Sequence, residues 1–161
     1  MGRAVLMLKR FYMYRQSIAG KRTFKEAEAS FEFKVGRALV RCSIDRIEST
    51  VDGKLYVIDF KTGKNAIGKD DAKTDAQMQI YQYAIGEDSA GAALLYLDST
   101  NQGNKLREQP PINRKEVAER IERSAIKMGG ATFKAIKNSN CQFCNVIASC
   151  PIQIEGRGLY D

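Results

Sequence analysis

The sequence contains no histidine, and this absence narrows the chemistry that the chain can perform. Without histidine, these 161 residues cannot form a Cys/His zinc site, a histidine-based triad or an imidazole general base. No apolar run approaches the roughly 20 residues that a membrane-spanning helix requires. The apolar run at residues 4–8 is too short for a secretory signal and is followed at once by Lys9 and Arg10. We therefore expect a cytoplasmic protein with no membrane partner.

Charged and apolar residues are both plentiful. Apolar residues make up 43% of the chain and charged residues 28%, as in ordinary globular domains. The net charge of +7 favours a polyanionic partner, and nucleic acid is the first candidate. The alternative is a basic protein that does not bind nucleic acid, which charge alone does not exclude. We find no repeat and no linker. We expect one domain over residues 1–161, with a core at about 4–128 and a cysteine-bearing tail at 139–161.

Hydrophobic periodicity predicts a mixed α/β fold. Three consecutive strands favour an antiparallel meander, and the helix before the fourth strand requires a crossover connection. Residues 62–73 and 99–111 are predicted to be loops, and Thr74 with Gln77 has the form of a capping box. The predicted elements are a helix at 4–17, strands at 27–35, 38–48 and 54–61, a helix from 74 to about 85, a strand at 92–97 and a helix at 113–128.

The segment Asp59-Phe60-Lys61 carries the main indication of function. Residues two apart in a strand share a face, so Asp59 and Lys61 project together while Phe60 turns to the core. Asp45 can reach Asp59, because the Asp52-Gly53 hairpin folds their two strands together. Two adjacent carboxylates favour Mg²⁺, which would activate water and stabilise charge on a phosphate, with Lys61 assisting. A surface ion pair between Asp59 and Lys61 is the alternative.

Gln77 and Tyr81 lie four residues apart and share a face of the following helix. If that face meets the site, the amide and the phenol could hold a phosphate or a base. The alternative is a capping glutamine and a core tyrosine, and the two residues taken alone favour that alternative.

Three motifs in order resemble those of RecB-like nucleases of the PD-(D/E)xK superfamily. Residues 42–47 resemble the G-x-x-D-R motif, residues 57–64 the D-Y-K-T-G motif and residues 77–81 the Q-x-x-x-Y motif. The resemblance extends over about residues 25–157. It implies a restriction-endonuclease-like core of helix, three strands, helix and strand, and DNA hydrolysis with Mg²⁺ or Mn²⁺. It implies catalytic or DNA-positioning roles for Asp45, Asp59, Lys61, Gln77 and Tyr81, and metal binding by Asp45, Asp59 and Phe60.

Two departures from this pattern stand out. Cys42 occupies the position where the first motif begins with glycine. The family usually has a metal-binding histidine on an upstream helix, and Glu28 is the nearest upstream carboxylate that could help in its place. We therefore expect the chain to begin inside the nuclease domain, with the histidine-bearing segment lost.

The tail has the spacing C-x₂-C-x₅-C-P, formed by Cys141, Cys144 and Cys150. Thiolates at this spacing can bind zinc or an iron–sulfur cluster, and reduced, partly buried cysteines are the alternative. The tail resembles that of AddB-type nucleases, in which a fourth, distant upstream cysteine completes a [4Fe–4S] cluster. That cysteine is missing here. We expect the cluster in a full-length parent, and no firmly bound cluster in this chain alone.

Together these resemblances imply the exonuclease-type domain of an ATP-dependent helicase-nuclease acting in DNA double-strand-break repair and recombination. Its partners would be DNA and a helicase motor in the same polypeptide or complex. One alternative is a non-catalytic DNA-binding or structural iron–sulfur module of a repair complex. Another is an RNA nuclease or a free-standing exonuclease.

Overall fold

A computed structural model of the chain describes residues 2–98, 105–132 and 134–152. The chain divides into two compact units, Met1–Ala125 and Ile126–Asp161. In the described part of the chain, no helix is long and apolar enough to cross a membrane. The elements are α1 Arg3–Ser17, β1 Arg22–Val35, β2 Ala38–Thr50, β3 Leu55–Lys61, α2 Lys69–Lys73, α3 Ala76–Ala84, β4 Ser89–Tyr96, β5 Leu106–Gln109 and α4 Arg114–Met128, followed by 3₁₀ turns at Ser139–Phe143 and Ile147–Ser149.

The first unit is built on a five-stranded sheet with the order β1-β2-β3-β4-β5. Strands β1, β2 and β3 pair antiparallel, β3 pairs parallel with β4, and β4 pairs antiparallel with β5. A parallel neighbour requires the chain to cross back, and α2 and α3 make that crossing. The predicted mixed sheet, antiparallel meander and crossover are therefore confirmed.

Two elements lie where loops were predicted. Helix α2 is a short turn whose buried side chain is Ala72, so it has no apolar periodicity to detect. Strand β5 has the sequence Leu-Arg-Glu-Gln, and it is an edge strand that pairs with β4 alone. Polar residues are common in edge strands, and such a strand lacks the alternating apolar pattern from which strands are predicted. Residues 99–104 of the second predicted loop, and residues 153–161 of the predicted tail, lie outside the described residues.

The two faces of the sheet bury separate hydrophobic clusters. On one face Val57 and Leu94 pack with Met78 of α3. On the other face Ile58 and Leu95 pack with residues of α1. Successive residues of a strand point to opposite faces, so the continuous apolar runs of β3 and β4 serve both clusters.

A buried carboxylate ties α1 to the sheet. Glu48 of β2 is fully buried, and Tyr14 of α1 donates a hydrogen bond to its Oε2 at 2.7 Å. Arg46 Nε donates to Oε1 at 2.7 Å, and Arg22 Nε lies 3.4 Å from Oε2. The two guanidinium groups compensate the buried charge, as a buried carboxylate requires. Burial raises the pKa of Tyr14, so its hydroxyl stays protonated and donates.

We expect Tyr14→Phe to lower the free energy of unfolding by about 1–2 kcal/mol, because the buried Glu48 loses one donor. Urea denaturation followed by circular dichroism measures this. Tyr12→Phe is the matched control, since Tyr12 lies on the same helix and is 63% exposed. Equal midpoints for the two variants would show that the Tyr14 hydroxyl does not hold α1 to the sheet.

Candidate active site

The candidate site begins where strands β2 and β3 part. Their paired register ends with Arg46 opposite Ile58. Beyond that point, the backbone N–H of Phe60 donates to Asp45 Oδ2 at 2.7 Å. The carboxylate of Asp45 thus takes the place of a main-chain acceptor. This bond holds the partly exposed Asp45 against β3, next to Asp59.

Asp59 is the buried acid of the site, with 4% of its surface exposed. Lys61 Nζ lies 2.8 Å from Asp59 Oδ2, which is an ion-pair distance. The approach lacks the alignment of a hydrogen bond, and Oδ2 has no aligned donor. Burial raises the pKa of Asp59 despite the opposing effect of Lys61, and the charge of Asp45 raises it further. Asp59 is therefore a carboxylate whose negative charge is only partly compensated.

Gln77 links the other polar groups of the site. Its Nε2 donates to Asp59 Oδ1 at 3.2 Å and to the Tyr81 hydroxyl oxygen at 2.7 Å. Its Oε1 accepts a hydrogen bond from Lys61 Nζ at 2.8 Å. The structure thus brings Asp59, Lys61, Gln77 and Tyr81 into one hydrogen-bonded and ion-paired group, beside Asp45. Gln77 is not the capping residue of its helix, so that alternative for Gln77 is wrong.

Lys61 and Tyr81 are both held in their protonated forms. Burial works against the charge of Lys61, but the close ion pair with Asp59 outweighs it and raises the Lys61 pKa. Burial, assisted by the charges of Asp59 and Asp45, raises the pKa of Tyr81. The site therefore presents an ammonium group and a neutral phenol beside two carboxylates.

Asp75 is a residue that the sequence analysis missed. The expected capping residue of α3 was Thr74, but the cap is Asp75, whose Oδ1 accepts from Met78 N at 3.0 Å. The negative charge of Asp75 also helps to raise the pKa of Asp59 and of Lys61. An aspartate three residues before the first buried residue of the helix was the available signal, because Asp is among the preferred capping residues.

The donor chemistry of this site fits a hard divalent cation. Mg²⁺ takes oxygen ligands, commonly one or two carboxylates completed by water and phosphate. Asp45 and Asp59 supply two carboxylates, and the buried Oδ2 of Asp59 has no aligned donor. Phe60 can offer only its backbone carbonyl, because its side chain has no ligand atom; its ring packs edge-on against Phe11 at 5.6 Å between centroids. Glu28 does not join them: among the described residues no three Cys, Asp or Glu side chains are arranged to hold a metal.

The tail cysteines are described within the second unit. Cys141, Cys144 and Cys150 are free thiols, and Cys141 Sγ accepts a hydrogen bond from Asn138 N at 3.3 Å. In the part of the chain that the structure describes, these three thiols do not form a group that could hold a metal ion. Cys42 packs against the core of the first unit, where burial raises the pKa of its thiol.

The burial of Asp59 predicts a pH dependence of stability. An acid whose pKa is raised by folding stabilises the fold fully below its unfolded pKa of roughly 4, and this contribution is lost as the pH rises through the raised value. Asp59→Asn cannot ionise, so the variant does not lose this stability as the pH rises. We therefore expect the difference in melting temperature, Asp59→Asn minus wild type, to increase from pH 3 to pH 8.

Asp52→Asn is the control for this experiment, because a hydrogen bond from Thr50 lowers the pKa of the exposed Asp52. Its relative melting temperature should not increase over the same range, which thermal denaturation at each pH measures. Parallel curves for the two variants would show that burial does not dominate at Asp59.

One family of known proteins matches nearly the whole chain. The family model of the PD-(D/E)XK nuclease superfamily matches residues 2–151. Among solved structures 21 chains match, including the crystal structure of SSO0001, which is 19% identical, with 91% of this chain and 69% of that chain covered and a TM-score of 0.49. No curated protein matches the sequence. The five-stranded mixed sheet is consistent with a restriction-endonuclease-like core. Because the family model spans nearly the whole chain, this protein belongs to the PD-(D/E)XK nuclease superfamily.

Proposed function

We propose that this chain hydrolyses DNA phosphodiester bonds with Mg²⁺ or Mn²⁺, as a RecB-like nuclease domain. The observation that supports this most directly is the position of Gln77, which contacts Asp59, Lys61 and Tyr81 at once. A surface ion pair would need only the first two of those residues. Four polar side chains from a strand and a helix converge on one point, which is typical of a site that binds a polar, charged substrate.

The proposed roles follow from the charges and contacts. Asp45 and Asp59 would hold the divalent cation. The bound cation would supply Lewis-acid stabilisation of the phosphate and a water of lowered pKa. Lys61, kept protonated by Asp59, would place positive charge where negative charge develops in the transition state. Gln77 would fix the ammonium group of Lys61, and Tyr81 would orient Gln77 and offer a neutral hydroxyl to the DNA.

The wider context is also part of the proposal. The order of the three motifs supports a RecB-like domain of exonuclease type, working with a helicase motor in double-strand-break repair. The net charge of +7 supports DNA as the partner. The C-x₂-C-x₅-C-P spacing supports an iron–sulfur cluster only in a protein that supplies a fourth cysteine, and hydrolysis at the proposed site has no step that uses such a cluster.

The catalytic assignment is tested by Asp59→Ala and Lys61→Ala. We expect each to reduce cleavage of single- and double-stranded DNA with Mg²⁺ or Mn²⁺ by at least roughly 100-fold, with little change in DNA affinity. Chelation of the metal should stop wild-type cleavage. Asp52→Ala and Lys54→Ala are matched controls, since both residues are exposed at the hairpin before β3. Full activity in Asp59→Ala would refute the assignment.

The same assay, repeated with single- and double-stranded RNA, separates the alternatives. A wild-type protein that binds DNA but does not cleave it with either metal would support the non-catalytic module. Cleavage restricted to RNA would identify an RNA nuclease.

DNA binding by the segment after β3, which includes α2, should depend strongly on salt concentration. Phosphate contacts release counterions, so each lost contact reduces the log–log salt slope by about 0.9 on duplex DNA. We expect this reduction for Lys64→Ala and for Lys69→Ala, which are exposed. Lys73 should contribute less, because its Nζ lies 2.8 Å from Asp70. Fluorescence anisotropy without metal, with Lys54→Ala as control, measures the slopes; equal slopes for all variants would remove this segment from the DNA-binding surface.

A further inference from the structure

We propose that Gln109 of β5 is a positioning residue that sets the place of Gln77 in the site. Its relevance to catalysis rests on the proposed nuclease function, but its structural action does not. Gln109 is 2% exposed and lies on a different element from every other residue assigned to the site.

The side-chain amide of Gln109 binds the junction between α2 and α3. Its Nε2 lies within hydrogen-bond distance of three backbone carbonyl oxygens, those of Ala72 at 2.9 Å, Lys73 at 3.2 Å and Asp75 at 3.1 Å, which share its two N–H groups. Ala72 and Lys73 are the last residues of α2, and Asp75 caps the start of α3. One amide group therefore fixes the path of the chain from the end of α2 to the start of α3.

The side-chain oxygen of Gln109 also has a buried polar partner. Its Oε1 accepts from Gln82 Nε2 at 2.9 Å, and Gln82 is fully buried on α3. Ser89 Oγ donates to Gln82 Oε1 at 2.8 Å. The amide of Gln109 thus donates at one end and accepts at the other, so no apolar or charged side chain of the same shape can replace it.

Gln109 is linked to Gln77 through the backbone of Asp75. The carbonyl of Asp75 that receives the Gln109 amide also accepts the α-helical hydrogen bond from Gln79 N at 3.1 Å. Gln77 lies between these two residues in the first turn of α3. A displacement of Asp75 therefore moves Gln77 with it, and moves it relative to Asp59 and Lys61, which are fixed in the sheet.

Gly91 of β4 allows β5 to come close enough for this contact. A Cβ at position 91 would lie 2.7 Å from the backbone oxygen of Gln109, and Gly91 has φ +129°. The other end of α3 is held separately, because Arg114 donates to the carbonyls of Tyr83 and Gly86 at 2.8 and 3.0 Å. Loss of the Gln109 amide should therefore release the first turn of α3, whereas its last turn loses the contact of Gln82 with Gln109 but keeps those with Arg114.

The first test needs no activity. The side-chain amide resonance of Gln77 in ¹⁵N-labelled protein, assigned by its loss in Gln77→Ala, reports the contacts with Asp59 and Tyr81. We expect Gln109→Met and Gln109→Glu, which keep the side-chain volume, to shift it toward that of a free glutamine. Ile18→Ala is the control for lost stability, since Ile18 is buried against the other face of the sheet. An unmoved Gln77 resonance in folded Gln109→Met would overturn the proposal.

A milder variant covers the case in which both Gln109 variants fail to fold. Ser89→Ala removes the hydrogen bond that Ser89 Oγ donates to Gln82 and the longer one, at 3.3 Å, that it accepts from Gly91 N, while the Gln109 amide stays in place. We expect a smaller shift of the Gln77 resonance in the same direction. An unchanged resonance in Ser89→Ala would then count against the proposal.

The second test is kinetic. We expect Gln109→Met to lower kcat for DNA cleavage by roughly 10- to 100-fold with little change in KM, as for a misplaced catalytic group. In a Gln77→Ala background, Gln109→Met should lower kcat no further, because both changes act through one side chain. Additive losses would show that Gln109 acts otherwise. If the wild type does not cleave DNA, the proposed function fails, while the resonance of Gln77 still decides whether Gln109 positions it.

Discussion

Burial of the Asp59 carboxylate is the constraint on which the rest of the site depends. A carboxylate removed from water is costly unless donors or cations compensate it. Gln77 donates to one oxygen, and Lys61 stands beside the other without the alignment of a hydrogen bond. Because burial still outweighs these contacts, the pKa of Asp59 is raised, and additional positive charge at this position would be stabilising.

Glu48 is a second buried acid, and its charge is compensated differently. Both acids lie on adjacent strands of one sheet, and both are buried. Glu48 is surrounded by a tyrosine hydroxyl and two guanidinium groups, so its negative charge is compensated within the fold. Asp59 has one lysine and an amide, and a second carboxylate nearby adds to its negative charge. The first arrangement joins a helix to a sheet, whereas the second leaves negative charge that the fold does not compensate.

The sequence predicted the parts of this structure that depend on local pattern. Alternation and hairpin chemistry placed the first three strands, and the two-residue spacing of Asp59 and Lys61 placed both side chains on one face. Strand β5 could not be predicted, because a four-residue polar strand becomes recognisable only when β4 lies beside it. Likewise nothing near Gln109 in the sequence indicates that its amide meets three carbonyls more than thirty residues away. The shift of the cap from Thr74 to Asp75 was within reach of sequence reasoning, since both residue types cap helices.

The parallel pairing of β3 with β4 has a consequence for the order of folding. The meander of β1, β2 and β3 needs only contacts between neighbours in the chain, which close early at small entropic cost. Helix α3 packs against β4 and contacts β5, which both follow it in the chain, so we expect it to dock after the meander has formed. Asp45, Asp59 and Lys61 lie on the meander, so they can come together while the sheet is still incomplete, and we expect Gln77 to join them later. Nascent chains of this protein should hold their acidic residues in place before the helix that completes the site has docked.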